Sequence, residues 1–600
     1  MERQGNTVKL VAVCALLAGL CSTVSARIIY VDDDAAGAND GSSWSDAFVW
    51  LQEALVVAEP GDEVRVAQGL YMPDLGGPPV QVPRGRWRGG STGPTEPQDP
   101  LGSPYAVFDL KSGVAVVGGF AGLTGDVPDD RDVQQYPTVL TGDLKGNDSD
   151  VWDPWHPVRR ALQSDNSLHI VNGSDTDSTA VLDGFIMTGA VDFALYMRKG
   201  SPTIRDCTFR RNRGRSGGAL GCLGGHPVVS ACTFEQNASW GYGAAIHASH
   251  YAGVGALNLT DCRFVDNVAM DGGGAIYVRQ SHLAATNCVF ERNAATFGGG
   301  IAQDWGSLDL VGCRFEGNLA AEGGAFWVVD SHSVAVTDCE FVTNRAVDRG
   351  GAIYKVTGHT VLDSSVTFDG CTFTGNAATH GGALYATAHL RREVFSIANG
   401  LFTGNRAHES GGAIYGDYLP FTAVNCTFAG NQAARGAGID WRYDLWMSGD
   451  PTAVVISNCI LWDGPESVIR EFEGAKDQTF DAADAIAITY SDVQGGWPGE
   501  GNIDADPLFA TPGWWADPTD LSTPVEPDFT DAVWVEGDYH VRSEAGRWAP
   551  ALEVWVEDEV TSPCIDAGDP ETPVSGEPEP NGSRINMGVY GGTAEASKSP

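Results

Sequence analysis

Basic residues are what this chain most lacks: 37 Lys and Arg stand against 78 Asp and Glu, a formal net charge of −41. The acids are spread along the whole length. No stretch is set up to hold nucleic-acid phosphates or anionic lipid, and a polyanionic sugar polymer would need cations as mediators. Long apolar runs are missing as well. Beyond the first 26 residues, nothing approaches the roughly 18 unbroken apolar residues of a membrane-spanning helix. No Cys-x-x-Cys pair occurs, which removes the commonest tetrahedral metal framework, and no metal site is expected from the cysteines. Lysine is rare where the sequence is most regular: Lys355 is the only one between residues 200 and 460.

What is present is a repeat. Asp261-Cys262-Arg263-Phe264-Val265-Asp266-Asn267 is followed by Gly272-Gly273-Gly274-Ala275-Ile276-Tyr277. The Phe/Asn pair recurs at Phe209/Asn212, Phe234/Asn237, Phe264/Asn267, Phe290/Asn293, Phe315/Asn318, Phe341/Asn344, Phe373/Asn376, Phe402/Asn405 and Phe428/Asn431, spaced 25 to 32 residues apart. A unit this short cannot bury its own core, so neighbours must stack. Within each unit the apolar positions alternate with period two, which is strand patterning. Gly pairs and Asn at fixed offsets supply corners, because both tolerate positive φ. The expected architecture is all-β: a parallel β-helix, its coils stacked at roughly 4.8 Å, closed by an N-terminal helix cap and a C-terminal cap.

Equivalent positions then become columns. Phe fills the core, and Asn amides bond along a corner ladder. Cys207, Cys232, Cys262, Cys288, Cys313, Cys339, Cys371, Cys426 and Cys459 make a third column, broken by Gly400. Parallel Cβ vectors on adjacent strands suit a disulfide poorly. The cysteines are therefore expected as small buried hydrophobes.

Phe-x-x-Asn with Gly-Gly-Ala-Ile resembles the repeat of the polymorphic outer membrane protein family over roughly residues 200 to 460. That resemblance implies a right-handed, pectin-lyase-like β-helix and an exported location, and it implies no activity. Members held in the outer membrane carry a C-terminal β-barrel. The Pro- and acid-rich tail ending Ser597-Lys598-Ser599-Pro600 has no such series of strands, so a released or peripherally attached rod is expected.

In chain order, residues 1–26 read as a secretory signal, with Arg3 and Lys9 before the apolar run Leu10 to Leu20 and a small-residue cleavage site at Val24-Ser25-Ala26. Leu20 before Cys21 is wrong for a lipoprotein anchor. Removal of Cys14 and Cys21 would leave 11 of 13 cysteines, an odd number that excludes a fully paired disulfide framework. Residues 27–60 form the N-terminal cap, a strand at Ile28 to Val31 and a helix over Ala47 to Ala58 capped by Ser43 or Ser45. Asp32-Asp33-Asp34 reads as a polar cap loop, with Ca²⁺ the one cofactor it could bind. Residues 61–500 are the β-helix, interrupted by a Gly/Pro/Arg-rich excursion over 75 to 104, and residues 501–600 are the C-terminal cap.

Outward positions after Gly-Gly-Ala-Ile give a candidate binding face. The column runs Gly221, His247, Tyr277, Ala302, Trp327, Tyr354, Tyr385, Tyr415, Asp440, with Arg279, Asp304, Asp417 and Arg442 two residues on. Trp327, Tyr354, Tyr385 and Tyr415, read as exposed, with Arg279 and Asp304 beside them, make a carbohydrate-binding face, since planar rings stack on sugars. Cross-strand packing explains the same column without a ligand. His250, His282, His332, His359 and His389 suggest a further column. No lyase or hydrolase constellation is recognisable: lyases of this fold need a base and cation-holding carboxylates, and hydrolases need two carboxylates at a fixed separation. The functional expectation is an exported, non-catalytic protein of the cell surface or extracellular space, acting in adhesion, glycan binding or envelope structure. The alternative is a polysaccharide lyase or glycoside hydrolase. The expected partner is a polysaccharide or cell-surface component, and oligomeric state is open.

Overall fold

The computed structural model describes residues 26–75, 103–148, 165–250, 255–358, 364–388, 393–417, 420–444, 454–465, 468–473, 486–525, 532–574 and 576–600. The secretory signal and most of the 75 to 104 excursion lie outside them. Among the described residues the chain winds as a right-handed parallel β-helix. One coil illustrates the path: a first strand Ile353–Thr357, a second Ser364–Asp369, a third Thr372–Thr374 and a fourth Ala377–His380. First and second strands share one 25-stranded parallel sheet, third strands a 14-stranded one, and fourth strands two small sheets.

The repeat dictates this path residue by residue. Phe234, Phe264 and Phe290 pair in register, and from Phe209 to Phe428 successive rings stack with centroids 4.5–5.2 Å apart and planes within 2–11°. The Asn column is a continuous ladder from Asn212 to Asn431. Each Nδ2 donates to the next coil's Oδ1 at 2.9–3.1 Å. From Asn237 onward each also donates to the Phe carbonyl of the preceding coil at 2.8–2.9 Å. Gly-Gly has a steric cause. Gly350 sits at φ 62°, and a Cβ on Gly351 would lie 2.0 Å from the carbonyl oxygen of Gly382 in the next coil. All described cysteines are free and buried, as small core residues.

The ladder ends on a residue that the repeat pattern does not show. Asn431 donates its backbone N–H to Asp463 Oδ1 at 2.8 Å, and its Nδ2 reaches both carboxylate oxygens. Burial pushes that carboxyl up to about 7.

At the N-terminal end the helix spans Leu51–Val57 and begins later than expected, with Trp50 at its N-cap making no side-chain bond. Phe48 is held extended against Val31 and Tyr30, so the helix cannot start at Ala47. Ser43 and Ser45 bond Asp46 instead of capping it.

The C-terminal cap reaches back along the flank formed by the third strands. The outward residues of those strands change character along the rod. Arg263 pairs with Glu291, and Arg314 with Glu316 and Glu340, but later coils present Leu401, Ala429 and Ile460. These join Phe509, Tyr539, Val541, Cys564, Ile565, Met587 and Val589 in a second core. Thr403 Oγ1 donates to Glu536 Oε2 at 2.9 Å, and Trp534 lies on Gly404 and Gly430, where a Cβ would come within 2.2 Å of its ring. Trp497 packs against the main core.

Candidate functional site

The outward column exists in the register expected: Trp327, Tyr354, Tyr385 and Tyr415 occupy one row on consecutive first strands. The row is longer than the sequence suggested, because Tyr196 pairs with Gly221 and Asn172 at its start. Its exposure is not as expected. Tyr354, Tyr385 and Tyr415 are 8%, 8% and 5% exposed, and they form a small core of their own with half-buried Trp327 and Val356. Their ring faces are spent on each other: Tyr354 and Tyr385 stack at 5.4 Å, Tyr385 and Tyr415 at 4.9 Å. Burial raises the hydroxyl pKa of Tyr354 and Tyr385.

What covers them is a second column, contributed by the residues just before each Gly-Gly. Phe297 packs on Trp327 at 5.5 Å. Arg349 holds Glu322 at 3.6 Å, donates to the Tyr354 hydroxyl at 3.5 Å and lies over the Tyr385 ring at 5.5 Å. His380 packs on Tyr415, and Arg435 pairs with buried Asp440 at 3.3 Å. The fourth strand thus folds these side chains onto the first. Period-two reading finds that a residue leaves the main core, but not that a neighbouring sheet closes over it.

The polar pair Arg279 and Asp304 is brought together, with Arg279 Nε 3.4 Å from Asp304 Oδ2 and the Tyr277 hydroxyl 3.5 Å from the same oxygen. Burial raises the Asp304 pKa, and Arg279 partly offsets this. The pair sits where the first strand runs directly into the second. Strands Ile276–Thr286, Ile301–Val311 and Phe326–Thr337 are continuous through both sheet positions. The kink between the two positions is carried by Gln280, Trp305 and Asp330, all left-handed at φ 53–59°. Just past it, His282 Nδ1 and Ser307 Oγ are 2.7 Å apart, and His282 Nε2 is 3.6 Å from Asp309 Oδ2.

Other expectations are corrected. Lys355 points into the rod and is 1% exposed, donating to Thr357 Oγ1; Lys355 alternates inward after outward Tyr354, so it is no surface base. The described histidines, His250, His282 and His332, do not form a column. His282 aligns with Ser307, His332 is the extra residue of a bulge between Ser331 and Ser333, and His250 lies at the end of its strand. His359, His389 and the Arg442 side chain lie outside the described residues. The carboxylate oxygens of Asp32, Asp33 and Asp34 lie within 4.8 Å of one another. Those of Asp32 accept the backbone N–H groups of Asp34 and Leu123, and one of Asp33 accepts that of Leu70. A feature the repeat gave no signal for is Asp192, whose carboxyl burial pushes up to about 6, with His169 Nε2 4.0 Å away.

Matches to family models support the architecture. Residues 164–315 and 243–394 match the family described as right handed beta helix region, and residues 399–417 match the Chlamydia polymorphic membrane protein repeat. Residues 516–568 match a family described as disaggregatase related. Metabotropic glutamate receptor-like proteins P and R of Dictyostelium discoideum are 29% identical over 174 residues and 26% identical over 186. Those matches span 29% and 30% of this chain but only 12% and 11% of the relatives. A rhamnogalacturonan lyase aligns over 84% of this chain and 93% of its own at 13% identity and a TM-score of 0.25. Pectate lyase Pel9A aligns over 94% and 96% at 14% identity and 0.26. No helix among the described residues is long and apolar enough to cross a membrane.

Proposed function

For this right-handed parallel β-helix with repeats of the polymorphic membrane protein type, we propose a role as an exported rod of the cell surface or extracellular space. It serves adhesion, glycan binding or envelope structure and does not cleave polysaccharide chains. One observation carries this reading. On the outward face the charged groups are paired with each other, Arg279 with Asp304, Arg349 with Glu322, Arg435 with Asp440, and the tyrosine rings stack among themselves. A face internally satisfied in this way rigidifies a rod. Hydrolysis of a glycosidic bond asks instead for two carboxylates free to act across a sugar, and elimination asks for a free base beside carboxylates that hold a cation. The surface location rests on the repeat family alone. Sugar stacking falls to Trp327, the half-buried member of the run Trp327, Tyr354, Tyr385 and Tyr415.

The test is a glycan array and a polysaccharide-depolymerisation screen on the purified protein, with and without Ca²⁺. Binding without cleavage, lost in Trp327→Ala and kept in Tyr385→Phe, supports a glycan-binding rod. New reducing ends or an unsaturated uronate product would sink the reading in favour of the enzyme alternative. Silence in both assays favours envelope structure over recognition.

A further inference from the structure

We propose that Ser307, His282 and Asp309 form an acyl-transfer site that hydrolyses small neutral acyl esters, of the O-acetyl type carried by neutral polysaccharides. This goes beyond the role of the rod, because the bond broken is an ester and not a glycosidic link. Nucleophile and base are in hydrogen-bond contact, with Ser307 Oγ 2.7 Å from His282 Nδ1. The other ring nitrogen faces Asp309 Oδ2 at 3.6 Å, a contact of the kind that shortens when substrate is bound. All three side chains stand on outward positions of two adjacent strands paired His282 to Ser307 and Ala284 to Asp309, so rigid elements hold them rather than loops.

A second constellation in the same rod shows why accessibility selects this one. Ser410 Oγ is 2.9 Å from His380 Nδ1, and His380 Nε2 is 3.4 Å from Glu409 Oε2. There the serine is 8% exposed, and Tyr415 packs on His380, so no carbonyl can reach the hydroxyl. Ser307 is half-buried rather than buried, and side-chain exposure is 29% for His282 and 48% for Asp309. On the far side of Ser307 the bulge leaves His332 without a ladder partner between Ser331 and Ser333. Such a residue can turn its backbone N–H toward a developing oxyanion. Asp304, one kink away on the strand of Ser307, and Asp330 on the next coil disfavour an anionic acyl group or a uronate.

The steps balance with water as co-reactant. Ser307 Oγ bonds to the ester carbonyl carbon while its proton passes to His282 Nδ1. The intermediate expels the alkoxide, which takes that proton and leaves as the alcohol. Water then attacks the acyl-serine and gives a proton to His282; the carboxylic acid departs, and the proton returns to Ser307. Asp309 positions the ring and stabilises its charged form.

The experiment treats the intact protein with a fluorophosphonate probe and measures 4-nitrophenyl acetate turnover. Labelling is expected at Ser307, located by peptide mass. Turnover should fall about 100-fold or more in Ser307→Ala and His282→Ala and less in Asp309→Asn. Ser333→Ala and Ser410→Ala should match wild type, and unchanged melting confirms that the outward variants fold. Absence of labelling above a heat-denatured control, labelling at another serine, or wild-type turnover in Ser307→Ala would each overturn the proposal.

Discussion

Replacing Asn318 by Ala tests whether the corner ladder, rather than the phenylalanine core alone, holds the coils in register. The Asn318 side chain makes four hydrogen bonds. It accepts from the backbone N–H of Asn293 at 2.9 Å and from Asn293 Nδ2 at 3.0 Å. It donates to the Phe290 carbonyl at 2.8 Å and to Asn344 Oδ1 at 2.9 Å. Asn293, Asn318 and Asn344 are all 0% exposed, so water cannot replace what is lost. Asn344 Oδ1 keeps the backbone N–H of residue 318, and Asn293 Nδ2 keeps the Phe264 carbonyl; the Asn293 backbone N–H loses its acceptor, and Asn293 Nδ2 and the Phe290 carbonyl each lose one bond. With the orphaned buried donor costing about 1–3 kcal/mol and each of the two further lost bonds about 0.5–1.5 kcal/mol, the variant should lose about 2–6 kcal/mol. That is comparable to emptying one core position by Phe315→Ala, at about 3–5 kcal/mol. In a stack whose units contact only their neighbours the damage should stay local. Guanidinium unfolding gives the magnitude, and hydrogen exchange gives the place: protection should fall across the coils of Phe290, Phe315 and Phe341 and stay unchanged in the coil of Ile486–Thr489. A loss under about 1 kcal/mol, within the range of an ordinary hydrogen bond, or protection lost evenly along the rod, would refute the reasoning.

Two further outcomes are expected. The carboxyls of Asp463 and Asp492 are pushed up from 3.8 to about 7 and about 6, chiefly by burial. Asp463 faces Asn431 and Tyr539, and Asp492 faces Cys564, Asp504 and Asp506. The folded state binds these protons more tightly than the unfolded chain. Their stabilisation is therefore full below about pH 4, is lost as pH rises through the folded values, and is flat above about 7. The C-terminal seam should resist proteolysis better at pH 4.5 than at 7.5, and the Asp463→Asn, Asp492→Asn double variant should show a weaker dependence. Equal dependence in both proteins would mean that the seam does not sense these groups and that relief of the overall −41 charge suffices. The column cysteines should resist iodoacetamide in the native protein and react fully in guanidinium, with no mass change on reduction beforehand. A disulfide found by mass spectrometry would contradict the free thiols.

The sequence by itself determined the coil. Nine copies of one pattern oblige equivalent residues to stack, because no single unit can bury its own phenylalanine, and so the Phe, Asn and Cys columns were legible from spacing alone. Their neighbours were legible too: the row Trp327, Tyr354, Tyr385, Tyr415 and the pairing of Arg279 with Asp304 follow from counting residues after Gly-Gly. Only the tertiary structure decided what those residues face. Period two reports that Tyr385 leaves the main core. It carries no information about Arg349 arriving from the fourth strand to lie over its ring. The His282–Ser307–Asp309 contact is likewise invisible along the chain, since its members lie 25 and 2 residues apart, and the bulge at His332 shifts register on the following coil. The C-terminal region follows the same rule. Leu401, Ala429 and Ile460 look unremarkable among alternating strands, and only the chain folding back over them makes them a second core. Periodicity fixes which side of a strand a residue occupies; what occupies the space on that side depends on contacts between segments distant in sequence.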